Sequence, residues 1–159
     1  MSTYVETAAQ IAQEAGQIVQ RIAAQRVGFE LKGEHDLVTE ADRASERHIV
    51  ERLRAAYPEH SIVAEEGGNH TGASGYRWYV DPLDGTTNFA HRFPAYNVTL
   101  ALERDGEIIA GVVLDPCRNE IYTAERGGGA FLNGERMHVS TVANLQDSLV
   151  ATEIGRAHV

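Results

Sequence analysis

Apolar residues Val5, Ala8, Ala12, Ala15, Val19 and Ile22 recur at alternating spacings of three and four, which puts them on one stripe of a helix over about residues 3–24. Gly16 falls inside that span. Glycine costs about 1 kcal/mol relative to alanine in a helix interior, so it points to close packing there. Residues 29–31 make a short segment that ends in a turn at Gly33. Thr39, followed by Glu40 and Asp42, has the form of a helix N-cap with acidic first-turn residues. The second helix then runs to about Tyr57 with Ile49, Val50, Leu53 and Tyr57 turned inward, and Pro58 stops it.

From Ser61 the pattern shortens to that of strands, with β-rich runs at 61–64, 77–81, 97–103, 107–114 and 120–124. They predict one largely antiparallel sheet in which strand order follows chain order. Asp105-Gly106 is a direct hairpin signal, and Asn133-Gly134 between Phe131-Leu132 and residues 137–139 is another. Residues 67–75 form a polar, glycine-rich loop. The fold class is therefore α+β, two N-terminal helices packed on a largely antiparallel sheet, without repeat, low-complexity tract or interdomain linker.

Composition narrows the classes. The 159 residues hold 14 Lys plus Arg against 23 Asp plus Glu, a formal charge of −9, with 43% apolar residues. That describes a globular domain long enough to bury a core. Basic residues are too few and too scattered for a broad nucleic-acid surface, and no run approaches the roughly eighteen apolar residues of a membrane span. With one cysteine, Cys117, no intramolecular disulfide forms, and a cytoplasmic location is expected.

The chemistry concentrates in Trp78-Tyr79-Val80-Asp81-Pro82-Leu83-Asp84-Gly85-Thr86-Thr87-Asn88-Phe89, where an apolar strand runs into two carboxylates three residues apart. Pro82 has no N–H, so the ladder is expected to stop there and the chain to turn Asp84 back toward Asp81. Both carboxylates and the Leu83 carbonyl then face one point, an all-oxygen set suited to Mg²⁺. Gly85, Thr86 and Thr87 open a helix whose free N–H groups suit an anion. The bland reading is a turn that uses Asp and Gly for backbone reasons alone.

Several ordered motifs go beyond a turn: Asp36-Leu37-Val38-Thr39-Glu40-Ala41-Asp42, Ala64-Glu65-Glu66-Gly67, the 81–89 segment followed by Ala90-His91-Arg92-Phe93-Pro94, and Gly129-Ala130-Phe131-Leu132-Asn133-Gly134. In these the chain resembles the inositol monophosphatase family of metal-dependent sugar-phosphate phosphatases over roughly residues 5–152. The resemblance implies the N-terminal half of a layered α/β/α/β/α fold. It implies Mg²⁺, two or three ions, with Glu65, Asp81 and the Leu83 carbonyl on one ion, Asp81 and Asp84 contributing to a second, and Li⁺ as an inhibitor. Two divalent ions would take a local charge of about −3 to about +1, so that a phosphate could bind. Asp42, Glu65 and Thr86 are then catalytic, with Thr86 and Asp42 orienting and deprotonating the nucleophilic water, and Gly85, Thr86 and Thr87 contact the phosphate. Lys32 takes the place of a lysine near the metal site.

The implied reaction is hydrolysis of inositol monophosphate or a related small polyol or sugar phosphate by two-metal activation of water. Relatives act on histidinol phosphate, fructose 1,6-bisphosphate or nucleotide 3′,5′-bisphosphates. The alternative from another class is a non-enzymatic cation-binding or interaction module. Expected partners are a small phosphate monoester and, at full length, a second copy of the chain; neither nucleic acid nor membrane is expected. Asp42 has an ordinary role as a first-turn carboxylate and Glu65 as a solvated strand end. His91 reads as a surface or packing histidine, Cys117 as a loop residue and residues 127–129 as a turn.

Residues 1–152 are expected to be a metal-binding phosphatase domain lacking its C-terminal α/β half. Residues 153–159, after a strand-like run at 149–152, are expected to be a non-native tail resembling a translated sequencing adapter. Such a half would expose an apolar patch and an unpaired sheet edge, and would bind Mg²⁺ more weakly than a complete relative.

Overall fold

A computed structural model describes residues 2–25, 29–33 and 36–150, with the backbone alone at 29–33 and 36–38. Helix α1 spans Thr3–Ala24 and α2 spans Glu40–Ala56. Between them β1 (Phe29–Gly33) and β2 (Asp36–Thr39) form an antiparallel pair, more structure than the short segment expected there. A seven-stranded sheet follows in chain order: β3 (Ser61–Ala64), β4 (Tyr76–Asp84), β5 (Asn97–Arg104), β6 (Glu107–Asp115), β7 (Glu120–Glu125), β8 (Gly129–Leu132) and β9 (Glu135–Arg136). Helix α3 (Thr86–Ala90) stands between β4 and β5. No helix among the described residues is long and apolar enough to cross a membrane.

The stripe on α1 is buried, Ile11 and Gly16 with it, and packs on β6 and β5. At Gly16 a Cβ would lie 2.4 Å from Leu114 Cδ2, so the glycine lets α1 approach β6. Helix α2 lies on β4 through Ile49 and Leu53. Trp78, Val80, Val98, Leu100, Leu102, Val112 and Leu114 fill the space between sheet and helices. The opposite face carries Tyr79, Asp81, Thr99 and Ala101.

The sheet is antiparallel except at β3 and β4, which run parallel. The loop makes this possible by doubling back along the outer edge of β3, where His70 and Ile62 exchange backbone hydrogen bonds of 2.8 and 2.9 Å. Asp105-Gly106 and Asn133-Gly134 both have two successive positive φ angles, the geometry of a type I′ hairpin.

Three expectations need correction. Pro82 does not end β4: pairing resumes at Asp84 opposite Asn97 after a register shift, so the residue without an N–H sits in a bulge. The hairpin beyond Asn133-Gly134 returns through Glu135–Arg136, not residues 137–139: Met137 adds one backbone hydrogen bond to Ala130 at 2.8 Å, and the chain then leaves the sheet with Val139 94% exposed. Leu149 and Val150 are likewise exposed and outside any strand. Residues 151–159, with the proposed domain end and tail, lie outside the described residues, as does the side chain of Lys32.

Candidate metal centre

β4 delivers the acidic side chains through its alternation. Trp78 and Val80 face the helices, so Asp81 turns to the other face with Tyr79, into a shallow hollow of about 330 Å³ also lined by Val63, Glu65 and Thr99. Ala64 pairs with Val80, which sets Glu65 beside Asp81. Both side chains line the same hollow, and Asp81 Oδ1 accepts the Leu83 N–H at 3.2 Å. Burial, then the negative charges of Glu65 and Asp84, push Asp81 up to about 7. Asp84 is exposed and accepts from Asn97 Nδ2 at 2.8 Å. Among the described residues no three His, Cys, Asp or Glu side chains close around a common point as a finished metal cage. Glu65 and Asp81 lie side by side, and the charge of Asp84 reaches Asp81 through space.

Asp42 takes the first-turn role considered for it and also meets Thr86. It is 1% exposed and closes a capping box on α2, its Oδ2 accepting the Thr39 N–H at 2.7 Å and the Thr39 hydroxyl at 2.5 Å. Its Oδ1 faces the β4 end and accepts the Thr86 hydroxyl at 2.8 Å. Thr86 Oγ1 also lies 3.0 Å from the Leu83 carbonyl oxygen. A hydroxyl has one proton, so the Asp42 bond directs it and leaves an oxygen lone pair free for another donor. Gly85 permits this turn, with φ +87° and a Cβ position 2.9 Å from the Ala95 carbonyl oxygen. Thr87, the next residue, is exposed.

Two polar residues of α2 also serve the region and were not singled out from sequence. Ser45 Oγ donates to the Pro82 carbonyl at 2.8 Å, tying the helix to the bulge. Glu46 accepts the N–H groups of Glu66 and Gly68 at 2.6 and 2.9 Å. Their signal was spacing: Asp42, Ser45 and Glu46 continue the Ile49 and Leu53 stripe toward the helix N-terminus, marking buried polar groups. His91 is exposed and Cys117 is an exposed free thiol, while residues 126–128 form the turn between β7 and β8 and Gly129 opens β8.

A model described as the inositol monophosphatase family matches residues 1–159, the whole sequence. The chain belongs to the inositol monophosphatase family. An inositol-1-monophosphatase of Rhizobium meliloti (strain 1021) is 49% identical over 129 residues, 80% of this chain and 48% of the relative. A protein named Nus factor SuhB from Salmonella typhimurium (strain 14028s / SGSC 2262) is 46% identical over 122 residues, 76% of this chain and 46% of the relative. The crystal structure of extragenic suppressor protein suhB from Bartonella henselae superposes with a TM-score of 0.85 at 42% identity, covering 89% of this chain and 56% of that one. The chain spans about half the length of the curated relatives it matches. The family's fold and the α+β architecture agree.

Proposed function

We propose that this chain is the metal-binding part of a Mg²⁺-dependent phosphate monoester hydrolase that acts on inositol monophosphate or a related small polyol phosphate. The observation that carries this reading is the β3–β4 register that sets Glu65 beside Asp81 in one hollow, where burial and the charges of Glu65 and Asp84 push Asp81 up to about 7. Carboxylates arranged to repel one another are stabilised by a cation, and an all-oxygen set suits a hard one. Glu65, Asp81, the Leu83 carbonyl and Asp84 are the groups that would hold Mg²⁺. When bound, Mg²⁺ supplies charge neutralisation and polarises phosphoryl oxygens.

The remaining work falls to the neighbouring residues. Thr86 Oγ1, its own proton directed at Asp42 Oδ1, accepts a proton from the attacking water as it passes one to Asp42. The backbone N–H groups of Gly85, Thr86 and Thr87 orient the phosphate. Inhibition by Li⁺, cytoplasmic residence and a homodimer of the full-length protein go with this reading. A second reading, an interaction module without turnover, draws support from the relative named Nus factor SuhB. Assay of the full-length protein with Mg²⁺ and a panel of phosphate monoesters separates them. The hydrolase reading expects phosphate release that Asp84→Asn abolishes; no release from any ester, with Asp84→Asn behaving identically, supports the module.

A further inference from the structure

Glu46 lies on α2 one turn beyond Asp42 and is 6% exposed, yet its carboxylate is not aimed into the hollow that Glu65 and Asp81 line. Both oxygens serve one short turn: Oε2 accepts from the Glu66 amide and Oε1 from the Gly68 amide. Gly67 between them has φ +101°. Backbone N–H groups converging in such a turn form a concavity that suits an anion, and here a side chain of the same molecule fills it. The fit is close, because a Cβ on Gly68 would lie 2.9 Å from Glu46 Oε1 and 3.1 Å from Val50 Cγ2. On the other side of Glu65, the Ala64 N–H donates to Asn69 Oδ1 at 2.9 Å. Glu65 is thus bracketed, with the residue before it tied by Asn69 and the residue after it tied by Glu46.

We infer that Glu46 is a positioning residue: by holding the turn at residues 66–68 from the rigid α2, it sets the Glu65 carboxylate against Asp81 and thereby sets the affinity of the divalent-cation site. The inference rests on the metal-site reading above. An internal carboxylate also explains why the loop needs two successive glycines, one to turn and one to let the carboxylate approach. A Gln at position 46 keeps the size but offers one acceptor oxygen, and its NH₂ would face an N–H donor.

The test is Mn²⁺ titration of the full-length protein, with free Mn²⁺ read by electron paramagnetic resonance. Glu46→Gln is expected to weaken Mn²⁺ binding by about 10-fold or more, the range seen when a partner of a metal ligand is lost. In a Glu65→Gln background the same change is expected to add no further loss, because Glu46 acts through Glu65. Gly68→Ala, which pushes a methyl group at Glu46 and alters no carboxylate, is expected to weaken binding in the same direction and carries the test if Glu46→Gln does not fold. Equal losses in both backgrounds would mean a general structural role and overturn the inference. Unchanged affinity in Glu46→Gln or Gly68→Ala overturns it while leaving the metal reading intact. Unchanged affinity in Glu65→Gln and Asp81→Asn removes the metal reading, and this inference with it.

Discussion

The two ends of β4 are built from opposite solutions to burying a titratable group. At the start of the strand, His60 is 7% exposed and lies between the rings of Tyr57 and Tyr76, stacked at centroid distances of 4.9 and 4.6 Å. Trp78 Nε1 donates to His60 Nδ1 at 3.1 Å, so the ring is neutral, and Tyr4 packs against the group from α1. At the far end Asp81 lies beside Glu65 and feels the negative charges of Glu65 and Asp84. Burial lowers the pKa of His60 and raises that of Asp81, in each case favouring the neutral form. The aromatic end satisfies its polar atoms internally and stabilises the fold. The acidic end leaves repulsion between carboxylates in place.

The largest effect expected from breaking this contrast is at the aromatic end. Trp78→Ala removes the largest fully buried side chain and is expected to destabilise the fold by about 3–5 kcal/mol, checked by denaturant unfolding. Asp81→Asn is expected to do the reverse of a core deletion. Phosphate release by the full-length protein should fall by at least about 10²-fold, or about 2.7 kcal/mol. The metal-free protein should meanwhile unfold at a higher temperature near neutral pH. The sign follows from the raised pKa: ionising Asp81 costs folded-state stability as pH climbs from the ordinary carboxylate range through about 7, and Asn carries no charge. A lower unfolding temperature in Asp81→Asn would erase the contrast between the two ends.

How far these regions were legible follows from the range of their interactions. The bounds of α1, the Thr39 cap and both type I′ hairpins depend on neighbours in sequence, and periodicity or turn chemistry displays them directly. Ser45 and Glu46 depend on α2 packing against β4 and the 66–68 turn, so only their place on the buried stripe hinted at them. Pro82 misled because a missing N–H ends a regular ladder but is accommodated in a bulge. Residues 137–139 misled because apolar composition favours a strand only where a partner covers it. The meeting of Glu65 with Asp81 rests on the parallel pairing of β3 and β4, which no local pattern encodes; the ordered motifs pointed to it through family resemblance.

Smaller effects sharpen the comparison. Gly85→Ala places a Cβ 2.9 Å from the Ala95 carbonyl oxygen in a left-handed conformation, and is expected to cost about 1–3 kcal/mol in thermal unfolding while displacing Thr86 from Asp42. The smallest effect concerns His60. Because its pKa is lowered by burial, the stability it contributes is present above its ordinary value of about 6.5 and is lost as pH falls through the folded-state value. The groups around it are Tyr4 on α1, Tyr57 at the end of α2, and Tyr76 and Trp78 on β4, with the Arg104 guanidinium of β5 5.7 Å from the Tyr76 ring centre. Trp78 is the single tryptophan, so its fluorescence during unfolding at successive pH values reads this dependence, and His60→Phe should flatten it.

The central claim is that a divalent cation binds where Glu65 and Asp81 lie side by side, with Asp84 contributing charge nearby. Anomalous scattering from crystals of the full-length protein soaked in Mn²⁺ tests it most directly. The account predicts a peak at bonding distance from the Glu65 and Asp81 carboxylates and the Leu83 carbonyl. A map with Glu65 turned away from Asp81 and no peak beside either would contradict it.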